Sequence, residues 1–305
     1  MAMSHPTTSV AGQDRPAPRH AWPRVSIITP SFNQARFLRR CIDSVLEQDY
    51  PNLQYLILDG GSRDGTLDIL RAYGGAITWR SGPDGGQAAA INEGLSRADG
   101  EIVAWLNSDD FYLPGAIERA VAFFEAHPDA DLVYGRAWMV DEAGLPMREY
   151  PTFRFSHHDL ARKCYVCQPA VFLRRRTIEA VGLLNERLDV CLDYEWWLRI
   201  TRDRRCLFCN ERLASSRHYE TTKTASRRSR ALIEAGYLMR HHFGRAPWRW
   251  SAKWIAHRMR LHPSRFAVPL VGWTAALISA VRYHRRFDAR QSPSRFGKRL
   301  LSSFS

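Results

Sequence analysis

The N-terminal third of the chain alternates short apolar strands with amphipathic helices. Val25 to Thr29 is a β-branched run that ends at Pro30, and Ala35 to Gln48 then carries apolar residues at helical spacing. The same order recurs twice before a fourth apolar segment, Glu101 to Leu106. Strands that are apolar along their whole length and alternate with helices form a parallel sheet covered on both faces. The pattern therefore predicts an α/β fold with a mostly parallel central sheet and helices on both faces.

The loops that leave these strands predict where a ligand binds. In such a sheet, ligands lie beyond the carboxyl ends of the strands, where the chain turns toward the helices. Polar loops follow Thr29, Leu58, Arg80 and Leu106, so their side chains should meet in one crevice. The first loop, Pro30-Ser-Phe-Asn-Gln34, lacks both the glycines of a dinucleotide fingerprint and the Gly-Lys-Ser/Thr of a P-loop. A dinucleotide dehydrogenase and a P-loop NTPase are therefore excluded.

Two adjacent carboxylates, Asp109 and Asp110, follow the fourth apolar strand. Neighbouring carboxylates repel each other unless a cation lies between them or one points away. Oxygen ligands suit Mg²⁺ or Mn²⁺, which bind one or two protein carboxylates and complete their coordination with substrate phosphates. The alternative is that Asp109 or Asp110 is the N-cap of a helix that begins near Pro114. Asp59 adds a carboxylate at the end of the second strand and so favours a diphosphate site over the cap.

Five short motifs occur in a fixed order along this part of the chain. They are Thr29-Pro-Ser-Phe-Asn33, Asp59-Gly-Gly-Ser-Arg-Asp-Gly-Thr66, Asp84-Gly-Gly-Gln87, Asn92-Glu-Gly94 and Leu106-Asn-Ser-Asp-Asp110. In this order they resemble the family-2 glycosyltransferases with the GT-A fold, over about Val25 to Lys223. The resemblance implies an inverting, non-processive enzyme that moves one sugar from a nucleotide-diphosphate sugar to an acceptor hydroxyl, on a glycan or a lipid-linked glycan.

The resemblance also implies individual roles on the donor side. Asp59 would contact the nucleoside, Asn107 would take the first position of the family's Asp-x-Asp motif, and Asp109 would hold Mn²⁺ or Mg²⁺ on the diphosphate. Because Asn107 stands where the family has Asp, the motif has one negative charge fewer. Asp109 would then be the carboxylate that binds the metal, and His218 would be a further ligand. The implied donor-binding residues are Thr29, Pro30, Ser31, Asn33, Asp59, Asp84, Gln87, Asn92, Asn107, Ser108 and Lys223.

The segment from Tyr165 to Arg199 resembles the acceptor-binding half of the same family, in which an Asp at the start of a helix is the general base. Asp193 occupies that position. A sugar hydroxyl is a poor nucleophile near neutral pH, and a positioned carboxylate accelerates its attack on the order of a hundredfold or more. An N-cap role for Asp193 is the alternative. Gln168 and Trp196 are the candidate acceptor contacts, although paired tryptophans on a helix are also typical of a core.

Positive charge is concentrated at the C-terminal end. The 305 residues carry a net charge of +13, yet residues 225–305 alone hold 17 Lys and Arg against only Glu234 and Asp288. Such an excess predicts an anionic partner for this segment. The stretch Ala246 to Arg260 mixes Trp with Arg at helical spacing, as in helices that lie in a bilayer interface. Residues 266–281 are uncharged but fall short of the roughly 20 that a spanning helix needs.

These observations predict three regions. Residues 1–24 form a disordered tail without the apolar core of a signal peptide, and residues 25–223 form the catalytic domain, with a nucleotide-sugar half at 25–115 and an acceptor half at 116–223. Residues 224–305 form a basic amphipathic helical extension. We expect a cytoplasmic protein that is peripheral on an anionic membrane surface through residues 226–305. Helices packed on the catalytic domain are the alternative, and nucleic acid is not an expected partner because no recognised module is present.

Two other functions fit the same residues. A sugar-nucleotide-binding or membrane-binding protein could keep the fold and lose the chemistry, although Asp109 and Asp193 argue against it. A nucleotidyltransferase shares the metal and the diphosphate but releases pyrophosphate instead of a nucleoside diphosphate.

Overall fold

A mixed sheet of nine strands forms the centre of the computed structural model, which describes residues 22–245 and 247–261. The strands are β1 (Val25–Ser31), β2 (Leu53–Asp59), β3 (Thr78–Ser81), β4 (Ile102–Trp105), β5 (Phe111–Tyr112), β6 (Leu132–Val140), β7 (Pro146–Glu149), β8 (Val171–Arg174) and β9 (Cys206–Arg217). The helices are α1 (Ala35–Leu46), α2 (Thr66–Ala72), α3 (Gln87–Arg97), α4 (Ala116–Ala126), α5 (Arg175–Val181), α6 (Leu192–Asp203), α7 (Lys223–Ser226), α8 (Arg228–Phe243) and α9 (Trp248–Leu261).

The strand order is β3-β2-β1-β4-β8-β6-β9-β5, with β7 paired to β6. The strands from β3 to β4 are all parallel. Beyond β4 the sheet is mixed, because β8 is antiparallel to both β4 and β6, and β5 is antiparallel to β9. The predicted α/β fold is confirmed. The predicted mostly parallel arrangement holds for the half of the sheet from β3 to β4. The regular strand–helix alternation ends after β4, and β6 turns back directly into β7.

Two apolar cores cover the two faces of the sheet. Successive side chains of a strand point to opposite faces, so Ile27 and Ile57 enter one core while Ile28 and Leu58 enter the other. Helices α1, α2 and α4 contribute to the first core, and α3, α6 and α8 contribute to the second. Helix α3 lies directly on the sheet, since a β-carbon at Gly94 would come within 2.4 Å of Ile28. This close packing fixes the start of α3 at the carboxyl edge of the strands.

The last helices pack on the domain. Helix α8 buries Leu238 and Met239 in the second core, and Trp250 of α9 donates its indole N–H to the carbonyl of Ala161 at 2.9 Å. For residues 224–245 and 247–261 the observed arrangement is therefore that of helices packed on the catalytic domain. No helix within the described ranges is long and apolar enough to cross a membrane. The uncharged run 266–281 lies outside the described residues.

The N-terminal boundary of the domain lies before residue 25. Residues 1–21 of the predicted tail lie outside the described residues, whereas residues 22–24 pack on the domain. The Trp22 ring meets Tyr50 edge-on at 5.4 Å, and the Trp22 carbonyl accepts a hydrogen bond from Asn52. The predicted tail was therefore too long by three residues, because Trp22 gains apolar contact by packing.

Candidate active site

The carboxyl ends of β1, β2 and β3 bring three polar residues side by side. Strand register pairs Ser31 with Asp59 and Asp59 with Ser81. Asp59 is fully buried, and its carboxylate accepts hydrogen bonds from the backbone N–H groups of Gly61 and Ser62 and from the hydroxyl of Ser81. Asp59 thus shapes the loop after β2. The carboxylate is not exposed to solvent, and the expected contact with a nucleoside stays a prediction.

The motif Thr29-Pro-Ser-Phe-Asn33 at the end of β1 is mostly buried as well. Thr29 shares a hydrogen bond of 3.0 Å with the Tyr55 hydroxyl inside the core, and Pro30 is buried beside it. Ser31 is buried too, but its hydroxyl has no hydrogen-bond partner within the described part of the chain. Asn33 is exposed at a positive φ of 52°, and its side-chain oxygen accepts from the Arg63 N–H. Asn33 is therefore the exposed member of the predicted donor residues in this motif, whereas Thr29, Pro30 and Ser31 are buried.

A chain of hydrogen bonds joins four predicted site residues from four separate segments. Lys223 donates to Gln87 Oε1 at 3.0 Å, and Gln87 Nε2 donates to Asn107 Oδ1 at 2.9 Å. Asn107 Nδ2 donates in turn to Gln168 Oε1 at 2.9 Å. Gln168 is anchored by its own donation to the Trp105 carbonyl at 2.7 Å. The structure thus brings the predicted donor residues into contact with the predicted acceptor residue Gln168.

Asp84 and Asn92 are not members of this series of hydrogen bonds. Asp84 accepts the Gly86 N–H at 2.7 Å and so holds the turn before α3. Asn92 is buried, and it donates to the Leu184 carbonyl and accepts the Leu184 N–H. It also donates to Glu186 at 2.8 Å. Asn92 thus joins α3 to the loop at 184–186, and its expected contact with the donor stays a prediction.

The two carboxylates after β4 have different surroundings. Asp109 accepts a hydrogen bond from the Tyr219 hydroxyl at 2.9 Å, whereas Asp110 accepts the backbone N–H of Arg217 at 2.8 Å. Burial raises the pKa of both carboxyls, and the Asp109 charge raises that of Asp110 further. Helix α4 begins after Gly115 without a side-chain cap, so the N-cap alternative is not observed. Ser108, between Asn107 and Asp109, is buried.

His218 follows Arg217 on the strand end that faces this pair. Partial burial of its ring lowers its pKa, Arg148 lowers it further, and the Asp109 charge acts in the opposite direction. The imidazole is therefore neutral near pH 7 and has a lone pair to offer a metal. Among residues 22–245 and 247–261, no three His, Cys, Asp or Glu side chains form a metal site by themselves. Asp109 and His218 fit Mn²⁺ or Mg²⁺ only as a partial ligand set that a diphosphate and water complete.

Asp193 lies in the first turn of α6. The N-cap is Cys191, which makes no side-chain cap, and Asp193 Oδ1 accepts the N–H of Tyr194 at 2.7 Å. The N-cap alternative for Asp193 is therefore not observed. Burial raises the pKa of its carboxyl to about 6, while the Lys223 charge acts in the opposite direction. A carboxylate that titrates near neutral pH is suited to accept a proton during catalysis.

Trp196 lies in the core. Its side chain is fully buried, its ring stacks on Trp105 at 5.4 Å, and its indole N–H donates to the Gly182 carbonyl. This position is that of the core alternative, since neither face of the Trp196 ring is exposed to solvent.

Sequence reasoning missed several residues that shape the site. Ser81 is the last residue of β3 and directly follows Arg80. Tyr219 directly follows His218. Asp189 lies 3.3 Å from the Lys223 ammonium and accepts from Arg227 at 2.7 Å. Nothing in the local pattern singled out Asp189, since it precedes α6 in an irregular loop.

Comparison with known proteins identifies the family of the chain. Residues 26–182, just over half of the chain, match the family described as glycosyl transferase family 2. An uncharacterized glycosyltransferase of Rickettsia typhi is 31% identical over 67% of both chains. A PGL/p-HBAD biosynthesis glycosyltransferase of Mycobacterium tuberculosis is 32% identical over 59% of this chain and 70% of its own length.

Solved structures show the same fold. Staphylococcus aureus TarS, in complex with UDP-GlcNAc, has a TM-score of 0.61 at 17% identity and covers 83% of this chain and 79% of its own. The mannosyltransferase PcManGT from Pyrobaculum calidifontis, with GDP-Man and Mn²⁺, has a TM-score of 0.56 at 20% identity over 92% and 79% of the two chains. Fold and site thus define a glycosyltransferase of the GT-A class. The chain belongs to glycosyl transferase family 2.

Proposed function

We propose that this glycosyltransferase moves one sugar from a nucleotide-diphosphate sugar to an acceptor hydroxyl with inversion, and that Asp193 is the general base. The position of Lys223 carries the proposal. Its ammonium contacts Gln87 at the start of α3 and Asp189, four residues before Asp193. One cation thus joins the loops of the donor half to the segment that carries the base.

The residues support a single displacement. Asp193 takes the proton of the acceptor hydroxyl as its oxygen attacks the anomeric carbon, on the face opposite the departing diphosphate. Lys223 contacts Gln87 on the donor side, where a positive charge would stabilise the leaving group. Asp109 and His218 would hold a divalent cation, which offsets negative charge on the diphosphate when bound. No residue forms a covalent bond to the sugar, so the configuration inverts.

The structural relatives support a nucleotide-sugar donor and a divalent metal. TarS was solved with UDP-GlcNAc, and PcManGT with GDP-Man and Mn²⁺. These two donors are therefore the first probes for this chain.

Donor turnover tests the proposal. The protein is incubated with UDP-GlcNAc or GDP-mannose, with Mn²⁺ or with EDTA, and the released product is identified. We expect a nucleoside diphosphate that depends on Mn²⁺, and a sugar product of inverted anomeric configuration by NMR. Release of pyrophosphate would instead identify a nucleotidyltransferase, and the absence of turnover with any nucleotide sugar would favour a binding protein without activity.

We also infer that the basic C-terminal quarter holds the enzyme on an anionic membrane surface at the cytoplasmic face, close to a glycan or lipid-linked acceptor. The excess of Lys and Arg in residues 225–305 supports this location. Co-sedimentation with phosphatidylserine vesicles should be strong at low salt and weak at high salt. Truncation after Leu261 should remove it while α8 and α9 stay in place. No binding to these vesicles at low salt, or equal binding to neutral vesicles, would contradict it.

A further inference from the structure

A buried carboxylate from α8 holds the loop that leads into Asp193. Glu234 is fully buried, and its Oε1 accepts the backbone N–H of Asp189 at 3.0 Å. Its Oε2 accepts the N–H groups of Val190 and Cys191, both at 2.9 Å. Arg230, one turn earlier on the same helix, donates to Oε1 at 2.6 Å. Three consecutive backbone donors thus converge on one side chain.

The chemistry of this contact requires a carboxylate. The first N–H groups of a helix lack partners within the helix and attract negative charge. The side chain of Cys191, the N-cap of α6, makes no capping hydrogen bond, and Glu234 accepts the backbone N–H of Cys191 together with those of the two loop residues before it. An ionised carboxylate only accepts hydrogen bonds, so it satisfies all four donors at once. A carboxamide would turn an N–H group toward at least one of them.

The held loop carries groups that the reaction uses. The carboxylate of Asp189 faces the ammonium of Lys223, and Asp193 lies two residues after Cys191. Because three successive backbone amides are held in place, the positions of Asp193 and of Asp189, the partner of Lys223, are held as well. The contact also explains an acidic residue in the strongly basic C-terminal quarter.

We propose that Glu234 is a positioning residue that sets the place of Asp193 by binding the amides of residues 189–191. This inference rests on the proposed role of Asp193 as the general base. With this role, α8 contributes to catalysis by positioning Asp193, although no atom of α8 need contact a substrate.

The test is a double-mutant cycle on the full chain with Glu234→Gln and Asp193→Asn. The rate is nucleoside diphosphate release from UDP-GlcNAc or GDP-mannose with Mn²⁺, divided by the folded fraction. We expect Glu234→Gln to lower kcat about tenfold or more while the donor KM changes less than about threefold. In the Asp193→Asn background the same change should have little further effect, because the group being positioned is already gone.

Leu238→Ala is the matched control. Leu238 is buried on the same helix and makes none of the hydrogen bonds to the amides of residues 189–191. This variant should lose stability but keep kcat per folded molecule. If Glu234→Gln behaves like Leu238→Ala, or if its effect multiplies with that of Asp193→Asn, the positioning role is wrong. An Asp193→Asn variant as active as wild type would instead refute the general base, so the two failures are distinguishable.

Hydrogen exchange on the wild-type protein keeps the inference testable if Glu234→Gln does not fold. The amides of Val190 and Cys191 should exchange as slowly as those of the α6 interior. Exchange as fast as in an exposed loop would overturn the proposal.

Discussion

Burial raises the pKa of the Asp193 carboxyl, and this shift has a consequence for stability. The pKa of its carboxyl is about 6 in the folded chain against an ordinary value of 3.8. The ionised form is thus disfavoured by folding, which costs roughly 3 kcal/mol of unfolding free energy at neutral pH. The cost grows as pH rises from about 4 to about 6, is complete above that range, and is absent at lower pH.

Asp193→Asn should therefore stabilise the protein while it removes activity. We expect a higher midpoint of urea unfolding at pH 7.5, and a gain that shrinks toward pH 4.5, where the wild-type carboxyl is protonated in the folded chain. Urea titrations of both proteins at the two pH values measure the difference. Equal stability at pH 7.5 would show that the carboxylate is well solvated.

Asp109 should determine the response to metal. In wild type, Mn²⁺ added with UDP should raise Tm above the value with UDP and EDTA, because ligands that bind the folded chain stabilise it. Asp109→Asn should lose that difference. Asp110→Asn is the control and should keep it, since Asp110 is occupied by the Arg217 N–H. The reverse pattern in the two variants would contradict the assignment.

At the scale of elements, helix α6 places its tryptophans in the core and its carboxylate at the site. Trp196→Ala should lower the unfolding free energy by about 3–5 kcal/mol, because a large buried ring leaves a cavity. Leu183→Ala, at a side chain that is 43% exposed, should change it by less than about 0.5 kcal/mol. Urea unfolding measures both. A Trp196→Ala variant of wild-type stability would contradict the core position.

The sequence allowed the first four strands and the hydrogen-bonded residues Gln87, Asn107 and Gln168 to be predicted. Three of the strands are mostly apolar, and strand–helix alternation indicated β3, which reads Thr-Trp-Arg-Ser. Gln87 and Asn107 belong to the ordered motifs, and Gln168 lies in the segment that resembles the acceptor half. The inward direction of Asp59 and Asn92 could not be predicted in this way. Asn92 bonds to Leu184, 92 residues away, and periodicity carries no information about such a distant partner. Glu234 is also far in sequence from the loop it holds, 43 residues from Cys191 and 45 from Asp189, so no local pattern indicates the contact.

At the scale of the whole molecule, the C-terminal helices belong to the catalytic body. Helix α8 supplies Leu238 and Met239 to the second core, next to α6. Truncation after Ser226 should therefore remove cooperative unfolding, whereas truncation after Leu261 should preserve it. Thermal unfolding followed by circular dichroism distinguishes the two. A cooperative transition in the shorter chain would show that α8 is dispensable for folding.

The pH dependence of kcat tests the role of Asp193 most directly. Donor turnover with Mn²⁺ is measured from pH 4.5 to 8.5 for wild type and for Asp193→Asn. Because the base must be ionised, the wild-type kcat should fall as pH drops through about 6, the pKa of the Asp193 carboxyl. Asp193→Asn should be slower on the order of a hundredfold or more and should lack this acidic limb. A variant with wild-type rates, or one that keeps the limb near pH 6, would contradict the assignment of Asp193 as the general base.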